Sequence, residues 1–313
     1  MDGFRLLNEW QRGFPLVPRP FAEIAAQCNS NEERVIATYR KLKDQGVIDR
    51  IGPVFRPNTV GASTLAAMAV PPERLAAVAA GVNRHPGVNH NYEREHRYNL
   101  WFVVTAASGA GVRDTLAAIE REAGLPVLDL PLQQQFHIDL GFDLNDQSAP
   151  RSAAREIDTQ AISEEEKRFL GKVASGLPIV ARPYAGLGMD EHDAIAILGH
   201  WLRSGVVRRI GAVVRHRALG YAANAMVVWD VPDAEAEEIG RRAAADPAVT
   251  LCYQRARALP EWRYNFYCML HGRARARVLR ELARLRRATG LERFPQAVLF
   301  SRECFRQRAA AYG

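Results

Sequence analysis

Cysteine, lysine and long apolar runs are all scarce in this chain. Its four cysteines, Cys28, Cys252, Cys268 and Cys304, are scattered through 313 residues without a CxxC pair. That spacing argues against a disulfide framework and a cysteine-ligated zinc site, and it suits a reducing cytoplasm. No apolar run approaches the roughly 20 residues of a membrane span. The opening MDGFRLLNEW is acidic and amphipathic, unlike a signal peptide. A cytoplasmic protein with no membrane partner is expected. Only four of the 42 basic residues are lysine, and against 35 acidic residues the net charge is +7. Arginine offers a planar fork of donors that pairs with carboxylate or phosphate as lysine cannot. Its excess reads either as GC-rich coding or as the mark of a polyanionic partner, nucleic acid or a carboxylate-rich small molecule.

What is present is a repeat. FPLVPRPFAEIA (Phe14–Ala25) returns as LPIVARPYAGLG (Leu177–Gly188), and GVIDRIGPVFR (Gly46–Arg56) returns as GVVRRIGAVVR (Gly205–Arg215). NYEREHRYNLWF (Asn91–Phe102) returns, altered, as CYQRARALPEWRYNFY (Cys252–Tyr267). Offsets of 159 to 166 residues make the repeat a whole domain rather than a solenoid unit. Two related halves in one chain can pair as an internal pseudo-dimer, and further association through exposed sheet surfaces stays open.

Each half opens with helical periodicity, carried in the first by Phe4, Leu6, Leu7 and Trp10. A proline-started helix from Pro20 and a longer helix ending at Gly46 follow. VIDRIGPVFR then alternates like a strand pair, which completes a winged helix-turn-helix. PYAGLG and the longer DEHDAIAILGHWLRSG repeat the order in the second half. After each wing, strands and helices alternate as βαββαβ, a ferredoxin-like pattern. The expected architecture is an α+β tandem duplication. Winged helix-turn-helix copies occupy 1–60 and 162–219, ferredoxin-like ligand domains 61–143 and 220–313, and a polar Pro/Ser-containing linker 144–161.

This layout resembles the Lrp/AsnC transcription regulators. DNA readers place the first turn of the recognition helix against base edges and phosphates. Here those turns carry Glu32 and Glu33 in one copy and Asp190, Glu191 and Asp193 in the other. Carboxylates there complement the helix dipole but oppose phosphates, so DNA is not the expected partner.

In the first-half hairpin, alternation puts His90, Tyr92 and Arg94 on one face, with Glu95, His96 and Arg97 near the tip. On the return strand Tyr98, Leu100 and Phe102 share one face, and Arg97, Asn99 and Trp101 the other. A charged edge hairpin that discourages aggregation is one reading, and a ligand site is the other. His85, His90 and His96 do not read as a metal triad, because their spacing does not place them on one strand face.

With REHRYNLWF, the RIG of both wings (Arg50–Gly52, Arg209–Gly211), the RPF/RPY helix starts and the closing FHIDLGFDL, the chain resembles the siroheme decarboxylases of the Lrp/AsnC-like superfamily. These are proteins of heme d1 and alternative heme biosynthesis. The resemblance covers both halves, as a fusion of two subunits that elsewhere form a heterodimer. It implies removal of the acetate carboxylates at C12 and C18 of siroheme, giving 12,18-didecarboxysiroheme and two CO2. No cofactor is implied, since the iron tetrapyrrole is itself the substrate.

Siroheme's carboxylates give the arginines a use. Arg50, Arg56, Arg94, Arg97, Arg209, Arg215, Arg255, Arg257 and Arg263 are candidate clamps. Tyr92, Tyr98, Trp101, Tyr253, Trp262 and Tyr264 either pack on the macrocycle or form hairpin core, and Asn99 joins them as a binding candidate. Decarboxylation needs a proton near the scissile group, and His96 is the leading donor. Two other readings remain for it: ligand to the substrate's iron, or hydrogen bond to a propionate. Tyr98 and Arg94 are candidates to orient the reacting carboxylate. Aligning HRYN with WRYN sets Trp262 opposite His96. A single centre, or a second one using His216 or Tyr264, both fit. A tetrapyrrole-sensing regulator and a tetrapyrrole carrier are the alternative functions.

Overall fold

The computed structural model describes residues 3–138 and 162–310, so the linker expected over 144–161 lies outside the described residues. The first half runs α1 (Gly3–Glu9), α2 (Pro20–Gln27), α3 (Glu32–Asp44), β1 (Ile48–Phe55), β2 (Ala62–Met68), α4 (Leu75–Arg84), β3 (Val88–Arg94), β4 (Leu100–Ala106), α5 (Gly109–Ala123) and β5 (Val127–Ile138). The second runs α6 (Glu164–Val173), α7 (Glu191–Ser204), β6 (Val207–Val214), β7 (Ala223–Trp229), α8 (Asp233–Ala245), β8 (Val249–Arg255), β9 (Phe266–Gly272), α9 (Arg275–Thr289) and β10 (Gln296–Gln307). Two compact units cut across the repeat. One takes the described residues up to 60 with 162–219, the other 61–138 with 220–310.

The first unit packs Leu6, Phe21, Ile24 and Tyr39 with Phe169, Tyr184, Leu198 and Trp201 in one core. Asn31 caps α3 by accepting from the Arg34 amide at 2.9 Å, and Asp190 caps α7 by accepting from the His192 amide at 2.8 Å. Two expectations are corrected here. Neither wing is a strand pair of its own half: β1 pairs antiparallel with β6, Gly52 opposite Gly211. Each single strand satisfies its edge from the other copy. The close chain passage needs glycine, because a Cβ on Gly211 would lie 2.4 Å from the carbonyl oxygens of Trp10 and Gln11. The RPY segment is also not a helix. Gly186 and Gly188 hold φ of +80° and +83°, outside the right-handed region, and PYAGLG forms turns.

The second unit is a closed eight-stranded barrel, ordered β10-β3-β4-β2-β5-β8-β9-β7. Two 12-residue strands close it. β5 pairs with β2 through its first part and with β8 through its second; β10 does the same with β7 and β3. Each copy's last strand therefore crosses into the other copy. Alternation separates two kinds of core. Outward residues such as Phe102 and Val104, or Trp229 and Phe266, meet the helices. Inward residues such as Trp101, Leu130, Trp262, Tyr267 and Leu299 share the space between the two copies.

Candidate functional site

The two hairpin tips meet in that inner space. Glu95 donates its amide to the Phe300 carbonyl at 2.9 Å and His96 donates its own to the Arg94 carbonyl at 3.0 Å, which fixes the β3–β4 turn. The half-buried His96 ring stacks near Tyr98, centroids 6.3 Å apart, and meets Trp262 edge-on at 5.3 Å. Trp262 also packs on Tyr98 at 5.8 Å, Trp101 at 5.1 Å and Tyr264 at 5.0 Å. Its indole N–H donates to the Tyr267 hydroxyl at 2.7 Å, and Trp101's donates to the Tyr98 carbonyl at 2.7 Å. His96 Nδ1 accepts the Tyr98 amide at 3.0 Å. Burial first, and the charge of Arg97 second, hold His96 below its ordinary pKa. Arg97 is exposed, its guanidinium 5.4 Å from the Tyr98 ring centre.

Flanking this aromatic cluster are two inward arginines at matching positions. Arg94 donates to the Leu299 carbonyl at 3.2 Å with Tyr92 5.6 Å away. Arg255 donates to the Leu130 carbonyl at 2.9 Å with Tyr253 at 5.2 Å, and burial lowers its pKa. A guanidinium carries five donors in a fixed fork, the geometry that matches a carboxylate. Near Arg94 lies His271, which sequence reasoning missed. It bonds the Thr250 hydroxyl at 2.9 Å, and burial, then the Arg94 charge, pushes its pKa down to about 4. Two further arginines escaped notice: Arg275 pairs with Glu95 at 2.7 Å, and Arg302 with Glu93 at 3.5 Å and Glu95 at 3.8 Å. In sequence α9 carries only an arginine-rich helical pattern, with no sign of this partner 180 residues away.

Other candidates have structural partners. The Asn99 side chain bonds the Val70 amide at 2.9 Å and carbonyl at 2.8 Å, and Asn265 does the same at Val231. Arg257 pairs with Asp230 at 3.1 Å and Asp233 at 2.9 Å, and Arg263 pairs with Asp230 at 2.8 Å. The hydrogen bond from Arg257 keeps the Asp233 carboxyl below its usual pKa. Tyr92 donates to Gln307 at 3.2 Å. Four arginines belong to the other unit. There Arg50 and Arg215 flank Asp49 at 2.8 and 2.9 Å, Arg56 donates to the Gly205 carbonyl at 3.0 Å, and Arg209 donates to the Gln11 and Ala212 carbonyls.

Comparison with known proteins accounts for both units. A family model for the AsnC-like ligand binding domain matches residues 60–137 and 218–306, and one for the siroheme decarboxylase NirDL-like HTH domain matches 4–48. A siroheme decarboxylase NirDL subunit of Paracoccus denitrificans is 43% identical over 98% of this chain and 95% of its own length. The chain belongs to the siroheme decarboxylase family. A siroheme decarboxylase NirD subunit of Stutzerimonas stutzeri matches over 46% of this chain but 95% of its own length, at 49% identity, as a fusion of two subunits requires. The crystal structure of the siroheme decarboxylase NirDL in co-complex with an iron-uroporphyrin III analogue superposes with a TM-score of 0.70, at 28% identity, over 99% of this chain and 93% of that one. Among the described residues no helix is long and apolar enough to cross a membrane.

Proposed function

We propose that this chain removes the C12 and C18 acetate carboxylates of siroheme, yielding 12,18-didecarboxysiroheme and two CO2 for heme d1 or alternative heme biosynthesis. It works in the cytoplasm without an added cofactor, the iron tetrapyrrole being the substrate. Two arginines that would face phosphate are already paired: Arg19 with Glu32 and Arg182 with Glu191, at the starts of α3 and α7. This supports a protein that does not read DNA.

The observation that carries the reading is the environment of His96. Its Nδ1 accepts the Tyr98 amide, so the neutral ring holds its proton on Nε2, which has no hydrogen-bond partner among the described residues. Loss of CO2 breaks the methylene–carboxyl bond and leaves the electron pair on the methylene carbon. Nε2–H delivers a proton there, completing a methyl group. The Tyr98 amide supports the electron density gained by the ring, and solvent restores the proton. The leaving carboxylate has to stay ionised, and the inward Arg94 holds it so. Tyr98 and Trp262 fix the imidazole plane.

Anaerobic incubation with siroheme, followed by mass spectrometry, tests this. The wild type is expected to lose two CO2, and His96→Ala to convert at least about 100-fold more slowly while keeping its melting temperature. Wild-type turnover by His96→Ala would remove the residue from the mechanism. A shifted Soret band without mass loss would make the protein a carrier, and salt-dependent binding to promoter DNA a regulator.

A further inference from the structure

We infer that there is one decarboxylation centre, at the His96 hairpin, and that Arg275 and Arg302 of the second copy grip its substrate's carboxylates, parked on Glu95 and Glu93 until siroheme replaces those pairs. This rests on the siroheme reading above. The repeat supplies the control. α5 and α9 are both 15 residues long, and β5 and β10 both 12, so Arg275 corresponds to Gly109 and Arg302 to Gln133. β3 and β8 end on Arg94 and Arg255, so Glu95 corresponds to Ala256. The charged cluster therefore surrounds one hairpin tip, while the matching positions at the other are Ala, Gly and Gln. GC-rich coding acts on both copies alike and does not make a one-sided cluster.

Apart from Arg255, the counterpart of Arg94, the arginines at the second tip are already ion-paired among the described residues. Arg257 and Arg263 are tied to Asp230 and Asp233, and the indole of Trp262 stands where the first copy has an imidazole. At the first tip the pairs are of the exchangeable kind. Arg275 and Arg302 are 56% and 62% exposed, and exposed ion pairs contribute little in water. Trading one surface carboxylate for another is cheap, whereas a polyanion engages several forks at once. Arg275 is already oriented, its guanidinium 4.0 Å from the Phe300 ring centre. With Arg97 on the turn itself, three elements bring arginines to the loop that carries His96.

Soret titration with siroheme and with iron uroporphyrin, an octacarboxylate, provides the test, alongside turnover. Arg275→Gln and Arg302→Gln should each weaken binding of both probes roughly tenfold, with the melting temperature unchanged. Glu95→Gln should tighten binding a few-fold, because the competing carboxylate is gone. Gln133→Ala should do nothing. His96→Ala should slow the loss of both CO2 alike, at least about 100-fold. Unchanged affinity in Arg275→Gln/Arg302→Gln, weaker binding in Glu95→Gln, or loss of one CO2 at the wild-type rate by His96→Ala would overturn the inference. Arginine-dependent binding by a wild type that releases no CO2 would instead overturn the decarboxylase reading and leave the grip standing.

Discussion

The imidazole of His96 and the indole of Trp262 meet at 82°, ring centres 5.3 Å apart, so the two residues that align as counterparts in the repeat are also in contact. Trp262 is 1% exposed, and its N–H is bonded to the Tyr267 hydroxyl at 2.7 Å. Trp262→Phe keeps the ring contact but leaves that hydroxyl without its donor. We expect a loss of about 1–3 kcal/mol, read as a lower urea midpoint, with siroheme turnover reduced less than in His96→Ala. A midpoint equal to wild type would show that the hydrogen bond contributes nothing.

The pH profile should report the tautomer. Burial and Arg97 place His96 below its ordinary 6.5. Protonating Nδ1 breaks its bond from the Tyr98 amide, so the working form is the neutral ring present at higher pH. The kcat/KM is therefore expected to stay level between about pH 7 and 8 and to fall as pH drops below about 6.5. A rise on acidification would mean that an imidazolium donates instead.

Acid stability should depend on His271. Its pKa is near 4 in the fold and 6.5 without it, so the unfolded chain binds the proton more readily. The contribution is complete above pH 6.5 and is lost as pH falls toward 4, at up to about 1.4 kcal/mol per pH unit. His271→Gln should flatten that limb of a plot of denaturation midpoint against pH. An unchanged slope would assign acid sensitivity to other groups.

The two matched asparagines should differ in degree. Among the described residues Asn265 makes three side-chain bonds, to the Val231 amide and carbonyl and to Asp233, whereas Asn99 makes two, both to Val70. At about 1 kcal/mol net per bond, Asn265→Ala should destabilise by about 3 kcal/mol and Asn99→Ala by about 2 kcal/mol in chemical denaturation. The reverse order would contradict the bond count.

Much of the fold was legible because it is written in local periodicity. The βαββαβ order expected after each wing is the order found, β2 to β5 in the first copy and β7 to β10 in the second. The HRYN/WRYN mismatch pointed to the residues that occupy the inner space. What stayed hidden depends on partners far along the chain. Nothing in VIDRIGPVFR says that Gly52 will lie against Gly211, and nothing near Arg257 announces Asp230 and Asp233. Asn99 looked like a ligand contact because a buried amide that closes a backbone turn has the same residue type. Arg275 drew no reading of its own, since its meaning comes from Glu95 in the other copy.

The crossing of β5 and β10 has a consequence for assembly. In a pair of separate chains, closing such a barrel is a second-order event, and dilution opens it. In a single chain closure is intramolecular, with a local concentration set by the connection rather than by expression level. The two copies are then always present in equal number, and each position exists once on each side. Substitutions can accumulate on one tip without appearing on the other, which is the condition for a protein built from like halves to hold an imidazole at one place and an indole at its mirror.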